Sequence, residues 1–274
     1  MRADWVEPGF RDIWIDMFYL LSDCAYSHAA RITSLFRRAR DTQKQIGAPE
    51  DKLRVIPNGI RDEVFSNIPE KEPGDEIGIG AIVRIARIKD IETMLFAFLE
   101  TVMEYPTAHL YIMGDVDDQD YYESCVNIVE QLNLSDSVTF TGSASVAEYL
   151  LKYDFTVLTS LSEGQPLSIL ESLCAARPVV ATDVGACMEL LLGGEIAPNG
   201  DILDPDGFGE AGIIAPSTDV QQIADGMKEL CGNVGRRQRM GRNGRQRVRA
   251  IYSQELSIGR YRDLYDEVMA LPGL

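Results

Sequence analysis

Short apolar stretches alternate with longer amphipathic stretches from Ile77 to the carboxyl end of the chain. A short apolar stretch of this kind is typical of a buried strand, whereas apolar residues three and four positions apart are typical of a helix. The pattern predicts strands at Ile77–Arg84, His109–Met113, Val138–Phe140, Phe155–Thr159, Pro178–Thr182 and Gly212–Ala215. It predicts helices at Ile91–Glu104, Tyr121–Leu132, Val146–Tyr153, Leu167–Ala176, Val220–Cys231, Arg237–Ile251 and Glu255–Ala270.

The alternation of strands and helices predicts an α/β fold with a parallel sheet that is covered on both faces. Right-handed crossovers make such a sheet doubly wound and Rossmann-like. Ligands of doubly wound sheets bind at the carboxyl ends of the strands. We therefore look for functional residues in the loops that follow Val83, Met113, Phe140, Thr159 and Thr182.

The first 60 residues follow a different pattern, which predicts too few strands to close a sheet. The segment with two prolines and four acids from Glu63 to Asp75 is typical of a linker. The elements predicted before it are a long helix at Met1–Leu21, a strand near Arg31–Leu35, a basic helix near Arg37–Gln45 and a strand ending in Leu53–Gly59. The predicted domains are a remnant of an amino-terminal domain at 1–60, a linker at 61–76, a complete ligand-binding domain at 77–251 and a carboxyl-terminal crossover helix at 252–274.

Charge and cysteine content narrow the classes of function. The formal net charge of −17 argues against binding to nucleic acid or to a membrane surface through a basic field. The five cysteines are scattered without a C-x-x-C pair, so neither a disulfide framework nor a zinc site is predicted, and a reducing cytoplasm fits best. No apolar stretch is long enough for a transmembrane helix, and the acidic start of the chain does not resemble a signal peptide.

Glu163 and Glu171 flank the start of a predicted helix that follows an apolar strand. Pro166 suits the first turn of that helix, because its missing N–H would be unpaired there anyway. The helix start then offers an anion site through the N–H groups of Gly164, Gln165, Leu167 and Ser168. One carboxylate beside a phosphate site and another a turn along the helix could hold the two hydroxyl-bearing rings of a sugar nucleotide. The alternative is that the two glutamates are solvated surface acids.

Arg84 and Lys89 bracket the loop after the first strand of the ligand-binding domain. Two fixed cations at that place could clamp a diphosphate and stabilise its charge as it departs. The alternative is a pair of salt bridges with Asp90 or Glu92 at the start of the next helix.

Two further charged segments have competing interpretations. Asp115 and Asp117 form a D-x-D sequence that could hold a divalent cation, but an acidic loop that caps the following helix is the better interpretation. The arginine-rich segment Arg236–Arg249 lacks interleaved aromatic residues, so we interpret it as a charged helix face and not as a nucleic-acid site.

Five motifs together resemble the family 4 glycosyltransferases of the two-domain GT-B fold. They are Val55-Ile-Pro-Asn-Gly-Ile60, Arg84 with Lys89, Val138-Thr-Phe-Thr-Gly142, Glu163 with Glu171, and Pro178-Val-Val-Ala-Thr-Asp-Val-Gly185. The segments Gly114–Cys125 and Asp183–Cys187 resemble more particularly the Pel exopolysaccharide glycosyltransferases within that family. The match runs in order over nearly the whole chain.

The resemblance implies a retaining transferase that uses a nucleotide-activated hexose, with UDP as the expected nucleotide, and that needs neither metal nor cofactor. Arg84 and Lys89 would hold the diphosphate, Glu163 the hydroxyls of the donor sugar, and Glu171 the ribose hydroxyls. The backbone of Phe140, Thr141 and Gly142 would frame the base. The D-x-D metal motif belongs to a different fold of transferase.

The same resemblance implies that most of the amino-terminal domain, which builds the acceptor side, is missing, and that the carboxyl-terminal helix crosses back onto it. The expected acceptor is a growing extracellular polysaccharide. The expected location is the cytoplasm, at the periphery of the inner membrane through a polysaccharide synthase complex. A catalytically incomplete module that binds a nucleotide sugar or acts as a scaffold is the alternative. A dinucleotide oxidoreductase is disfavoured, since no G-x-G-x-x-G follows the first strand.

Overall fold

The computed structural model describes residues 11–196, 202–203 and 206–271. The first ten residues of the predicted helix Met1–Leu21 lie outside the described part of the chain. The described helices are α1 (Arg11–His28), α2 (Arg37–Gln45), α3 (Asp62–Phe65), α4 (Ile91–Glu104), α5 (Gln119–Gln131), α6 (Val146–Leu150), α7 (Leu167–Cys174), α8 (Cys187–Leu192), α9 (Val220–Gly232), α10 (Val234–Ile251) and α11 (Gln254–Met269). The described strands are β1 (Ile32–Ser34), β2 (Leu53–Val55), β3 (Ile77–Ile82), β4 (Ala108–Met113), β5 (Val138–Gly142), β6 (Phe155–Leu158), β7 (Val179–Thr182), β8 (Glu195–Ile196), β9 (Ile202–Leu203) and β10 (Gly212–Ala215).

Residues 60–254 form a compact unit around a six-stranded sheet. The strand order is β10-β7-β6-β3-β4-β5, and all neighbouring strands are parallel. Helix α4 packs against α5 and α9, whereas α7 packs against α10 and α3. The sequence-based prediction of a doubly wound α/β domain is therefore confirmed.

Two neighbouring interior strands of this sheet are buried along their whole length. Every residue of β6 and of β7 is buried, as expected for strands that are covered by helices on both faces. Helix α7 contacts both strands, and α8 and α9 contact β7. This packing gives the loops at the carboxyl ends of the strands a rigid base.

The arginine-rich helix α10 is not simply the charged surface face that the sequence suggested. Arg237 is buried and pairs with buried Asp154 at 2.8 Å. Arg247 is fully buried and donates to the carboxylate of Asp206 and to main-chain carbonyls. Arg242 alone of these three partnered arginines lies in an exposed pair, with Glu70. The earlier interpretation was wrong for the buried arginines, because they satisfy their charge and donors inside the protein.

The segment 61–76 that was expected to be a linker belongs to the same compact unit as the sheet. It contains the short helix α3, and the side chains of Phe65 and Ile68 are buried. Buried Arg177 donates to the carbonyl of Pro69 at 3.0 Å. The helix α8 and the antiparallel pair β8–β9 are two further elements that the sequence pattern did not predict.

The described residues 11–59 and 255–271 belong to the second compact unit. Its described part contains the parallel pair β1–β2 and a small apolar core of Ile32, Ala48 and Leu53. Within this unit Glu267 on α11 forms ion pairs with Arg31 and Arg54. The pKa of Glu267 is lowered, and the largest cause is hydrogen bonding from Arg54. In the described ranges of the chain, no helix has both the length and the apolar character of a membrane-spanning segment.

Candidate functional site

Three loops meet at the carboxyl ends of β3, β6 and β7, which are neighbours in the sheet. The N–H of Leu161, after β6, donates to the carbonyl of Ile88, after β3, at 2.9 Å. The N–H of Ala186, after β7, donates to the carbonyl of Gly164 at 2.9 Å. The loop after β6 is therefore fixed from both sides, and Glu163 lies in that loop.

Lys89 and Glu163 form the charged centre of this region. Lys89 Nζ lies 2.6 Å from Glu163 Oε1, and both side chains are largely buried, with 14% and 11% of their surface exposed. Ser160 Oγ donates to the same oxygen at 2.7 Å. Glu163 is therefore not the solvated surface acid that was one alternative. The other alternative for Lys89, a salt bridge at the start of α4, is also wrong, since its partner is Glu163.

Arg84 and Lys89 form ion pairs with residues of different loops. Its side chain is 65% exposed and forms an ion pair with Asp117 in the loop after β4. The loops after β3 and β4 are joined along the backbone, because the N–H of Ile85 donates to the carbonyl of Asp115 at 2.8 Å. The alternative for Arg84, a salt bridge with Asp90 or Glu92, is therefore wrong. Lys89 faces the loop after β6, whereas Arg84 faces the loop after β4.

The acidic loop after β4 caps the helix that follows, as the sequence indicated. The side chain of Asp118 accepts a hydrogen bond from the N–H of Tyr121 at 2.9 Å and forms the N-cap of α5. Asp117 is engaged by Arg84. Over the described residues, no cluster of three His, Cys, Asp or Glu side chains is arranged to hold a metal ion.

Helix α7 begins at Leu167 and carries Glu171 one turn further along. Pro166 is the N-cap, with φ −69° and ψ 119°, and so lies one position earlier than predicted. The first N–H groups of a helix have no partner within the helix, and those of Leu167 and Ser168 belong to this group. Gln165 and Pro166 are buried, whereas Gly164 and Leu167 are exposed.

Burial strongly affects the protonation of Glu171. Burial raises the pKa of Glu171 to about 7, and no charged group among the described residues counteracts the shift. A carboxylate in this condition gains from any hydroxyl or cation that donates to it. Glu171 could therefore serve as an acceptor for a ligand that lies along the first turn of α7.

The segment Phe140, Thr141 and Gly142 lies at the end of the edge strand β5. The ring of Phe140 packs edge-on against Tyr122, with centroids 5.3 Å apart. The carbonyl of Gly142 accepts a hydrogen bond from the N–H of Gly114 at 3.1 Å. Within the described part of the chain, no hydrogen bond or ring contact joins this segment to Glu163 or Glu171.

Three hydroxyl residues that were not predicted from the sequence support the charged centre. Thr159, Ser160 and Thr182 are fully buried. Thr159 Oγ1 donates to the carbonyls of Lys89 and Asp90, at 3.0 and 2.9 Å, and Thr182 Oγ1 donates to the carbonyl of Ser160 at 2.7 Å. The spacing Ser-x-x-Glu was the available signal, because two polar residues at this distance can meet in a loop.

The side chain of Tyr121 lies at the start of α4, which is a second helix start near the site. Its phenol oxygen accepts from the N–H of Ile91 at 2.8 Å and from the N–H of Glu92 at 3.4 Å. The N-cap Asp90 accepts from Thr93. The first N–H groups of α4 are therefore used within the protein, and α7 is the helix whose start faces the loops of the site.

Gly185 sets the distance between the loops after β6 and β7. It has φ +55°, and a Cβ at this position would lie 2.4 Å from the carbonyl oxygen of Glu163 and 2.3 Å from that of Gly164. Both the backbone conformation and the close approach require glycine. The loop of Glu163 is therefore held directly against the loop after β7.

Comparison with known proteins gives a family for most of the chain. The family described as glycosyl transferases group 1 matches residues 65–247. A domain of unknown function, DUF3492, matches residues 1–51. The first match thus covers the whole sheet and the three loops of the site, and the second covers most of the described part before β2.

Individual relatives agree with this assignment. Over 144 residues the chain is 34% identical to the alpha-monoglucosyldiacylglycerol synthase of Streptococcus pneumoniae. The aligned region covers 47% of this chain and 32% of the relative. The chain spans about a third of the length of this relative and of a second curated relative, the alpha-monoglucosyldiacylglycerol synthase of Acholeplasma laidlawii.

Two solved structures show a similar fold at low sequence identity. HepE of Anabaena, solved with UDP and glucose, superimposes with a TM-score of 0.72 at 16% identity, over 92% of this chain and 66% of the other. TarM of Staphylococcus aureus, solved with alpha-GlcNAc-glycerol and UDP, gives a TM-score of 0.72 at 21% identity, over 91% of this chain and 46% of the other. These similarities confirm the predicted GT-B class of fold.

Proposed function

The chain belongs to the group 1 glycosyl transferases, and we propose that it binds a UDP-hexose and transfers the hexose to a growing extracellular polysaccharide. The proposed transfer retains the configuration of the sugar and needs no metal. The observation that carries the proposal is the pairing of Lys89 with Glu163 beside the start of α7. It combines a cation, an acceptor for hydroxyls and a helix start in one place.

The proposed roles follow from these contacts. The diphosphate lies between Lys89 and the first N–H groups of α7, where positive charge and free donors coincide. Arg84 reaches the diphosphate from the exposed side and exchanges its pair with Asp117 for a phosphate oxygen. Glu163 accepts from hydroxyls of the hexose. Glu171 accepts from hydroxyls of the ribose, and the end of β5 frames the base.

The chemistry of the relatives supports a UDP donor and retention. Solved structures of similar fold contain UDP, and one also contains glucose. The name of the pneumococcal relative specifies an alpha product. The glucosyl group of UDP-glucose is itself alpha-linked, so an alpha product from that donor corresponds to retention. Lys89 and Arg84 take the place that a metal would have in stabilising the departing diphosphate.

The polysaccharide acceptor rests on the resemblance of the segments Gly114–Cys125 and Asp183–Cys187 to the Pel exopolysaccharide glycosyltransferases. On this proposal the protein works in the cytoplasm, at the periphery of the inner membrane, as part of a polysaccharide synthase complex. The second candidate is a module that binds the nucleotide sugar without transferring it. It is favoured by the position of Lys89, Glu163 and Glu171 within a single compact unit, since binding needs no more than that unit.

Titration of the chain with uridine and guanosine diphosphate sugars tests the proposal. We expect a UDP-hexose to bind, and we expect its affinity to stay the same in EDTA and in Mg²⁺. An affinity that EDTA abolishes would contradict the metal-free mechanism and point to Asp115 and Asp117 as ligands. Transfer of radiolabelled hexose to a polysaccharide acceptor separates the enzyme from the binding module.

The affinity for UDP is expected to increase between pH 6 and pH 8. Because burial raises the pKa of Glu171 to about 7, this side chain is largely protonated at pH 6 and ionised at pH 8. The ribose hydroxyls donate to the ionised form, so binding strengthens as the proton leaves. Calorimetry at both pH values measures the change. Glu171→Gln provides the control. The terminal phosphate of UDP also titrates in this pH range, with pKa about 6 for such groups, and its contribution is the same for both proteins. Equal pH dependence in both proteins would contradict the ribose role.

A further inference from the structure

Ser160 is a buried residue that touches the charged centre and has no role in the proposed function so far. It is fully buried, and its hydroxyl donates to Glu163 Oε1 at 2.7 Å. Its own carbonyl is held by Thr182 Oγ1 at 2.7 Å. The backbone that carries this hydroxyl is thus fixed at the end of β6.

The contacts of Glu163 are divided unequally between its two carboxylate oxygens. Oε1 accepts from both Lys89 Nζ, at 2.6 Å, and Ser160 Oγ, at 2.7 Å. Among the described residues, no donor reaches Oε2. Each carboxylate oxygen can accept about two hydrogen bonds. The two protein donors therefore occupy both acceptor positions of Oε1, and those of Oε2 remain for a ligand.

We propose that Ser160 is a positioning residue that orients the Glu163 carboxylate so that Oε2 accepts from hydroxyls of the donor sugar. The inference rests on the proposed function, since it assigns a role within the same site. Two donors on one oxygen define the plane of a carboxylate better than one does, and Lys89 alone would leave the group free to turn about its Oε1 contact. Ser160 thereby supports recognition of the sugar without touching the nucleotide.

The adjacent residue Thr159 supports this assignment. Its hydroxyl donates to the carbonyls of Lys89 and Asp90 and so fixes the backbone that carries the Lys89 side chain. Two consecutive residues at the end of β6 therefore hold the two charged partners, one through its backbone and one through its carboxylate. The distance between Lys89 and Glu163 follows from this arrangement.

The test compares Ser160→Ala with Ser172→Ala in the full chain. Ser172 is an equally buried serine on α7 whose hydroxyl donates to the carbonyl of Ser168 and not to Glu163. The affinities for UDP, UDP-glucose and UDP-N-acetylglucosamine are measured by calorimetry. We expect Ser160→Ala to weaken the better nucleotide sugar about tenfold, as for the loss of one charged hydrogen bond, and to change UDP less than about twofold. Ser172→Ala should leave the ratio of the two affinities unchanged.

Three outcomes would overturn the inference. If Ser160→Ala weakens UDP and the nucleotide sugar equally, or matches Ser172→Ala in the ratio, then Ser160 is only a structural residue. If the wild-type chain binds no uridine nucleotide, the proposed function fails and the inference fails with it. Should Ser160→Ala not fold, Ser160→Cys is measured, because a thiol is a weak donor of similar size. An unchanged ratio in that variant also overturns the proposal.

Discussion

Replacing Lys89 with methionine is expected to weaken the binding of UDP and of UDP-hexose by about 2–5 kcal/mol each, or roughly 30- to 5,000-fold. The variant removes a cation that is 14% exposed and keeps most of the apolar stem. It also leaves the Glu163 carboxylate without its ion-pair partner in a largely buried place. Both consequences disfavour an anionic diphosphate nearby. Calorimetric titration with the two ligands measures the loss.

Arg87→Met is the matched control for this prediction. Arg87 lies in the same loop after β3, but its side chain is 67% exposed and pairs with Asp118 at 3.3 Å. Exposed pairs of this kind contribute about 0–1 kcal/mol. Glu163→Gln should behave differently from both, since it should weaken the nucleotide sugar and spare free UDP. Equal losses in the Lys89 and Arg87 variants would show that the diphosphate does not lie against Lys89.

Replacing Arg247 with methionine is expected to lower the free energy of unfolding by about 3–5 kcal/mol. The Arg247 side chain is fully buried and forms an ion pair with Asp206. It also donates to the carbonyls of Leu190 and Leu191, each at 3.1 Å, and to that of Gly209. The variant removes the side-chain donor from each of these interior acceptors, and it leaves a carboxylate whose exposed fraction is 14% without its ion-pair partner. Denaturation by urea, followed by circular dichroism, measures the loss.

The control is Arg242→Met on the same helix. Arg242 has a side-chain exposure of 51% and pairs with Glu70 at 3.0 Å, at the surface. A surface pair contributes about 0–1 kcal/mol, so the control should lose little stability. The two substitutions share residue type, helix and replacement, and they differ in burial. Similar losses in both would show that the buried contacts of Arg247 do not stabilise the fold.

The strands of the large unit could be predicted from sequence because each is an apolar stretch with polar residues at its ends. Phe155–Leu158 and Val179–Thr182 illustrate this, since both are buried throughout. The cap of α5 by Asp118 was also predictable, because N-capping depends on residues only three positions apart. Both features depend on residues that are close together in the sequence, so the sequence alone predicts them.

The pairs at the site could not be predicted in the same way. Lys89 and Glu163 meet because β3 lies next to β6 in the sheet, and that order follows from the whole topology. The alternative of two salt bridges at the start of α4 used residues near in sequence and was wrong for this reason. Arg247 was equally hidden, because its burial depends on carbonyls from distant segments. The pattern of a surface helix gives no sign of such partners.

The glycine at position 185 restricts how sequences of this kind can vary around Glu163. A substitution there would force apart two backbones, so only the wild-type residue fits the present loop arrangement. Gly164 is different, because a Cβ at that position would meet no atom within 4 Å and its φ needs no glycine. Mutational libraries aimed at donor preference can therefore diversify position 164 and should keep position 185 constant. Adjacent to one functional glutamate, the chain thus has one glycine that evolution can exchange and one that it can exchange only by rebuilding the loop.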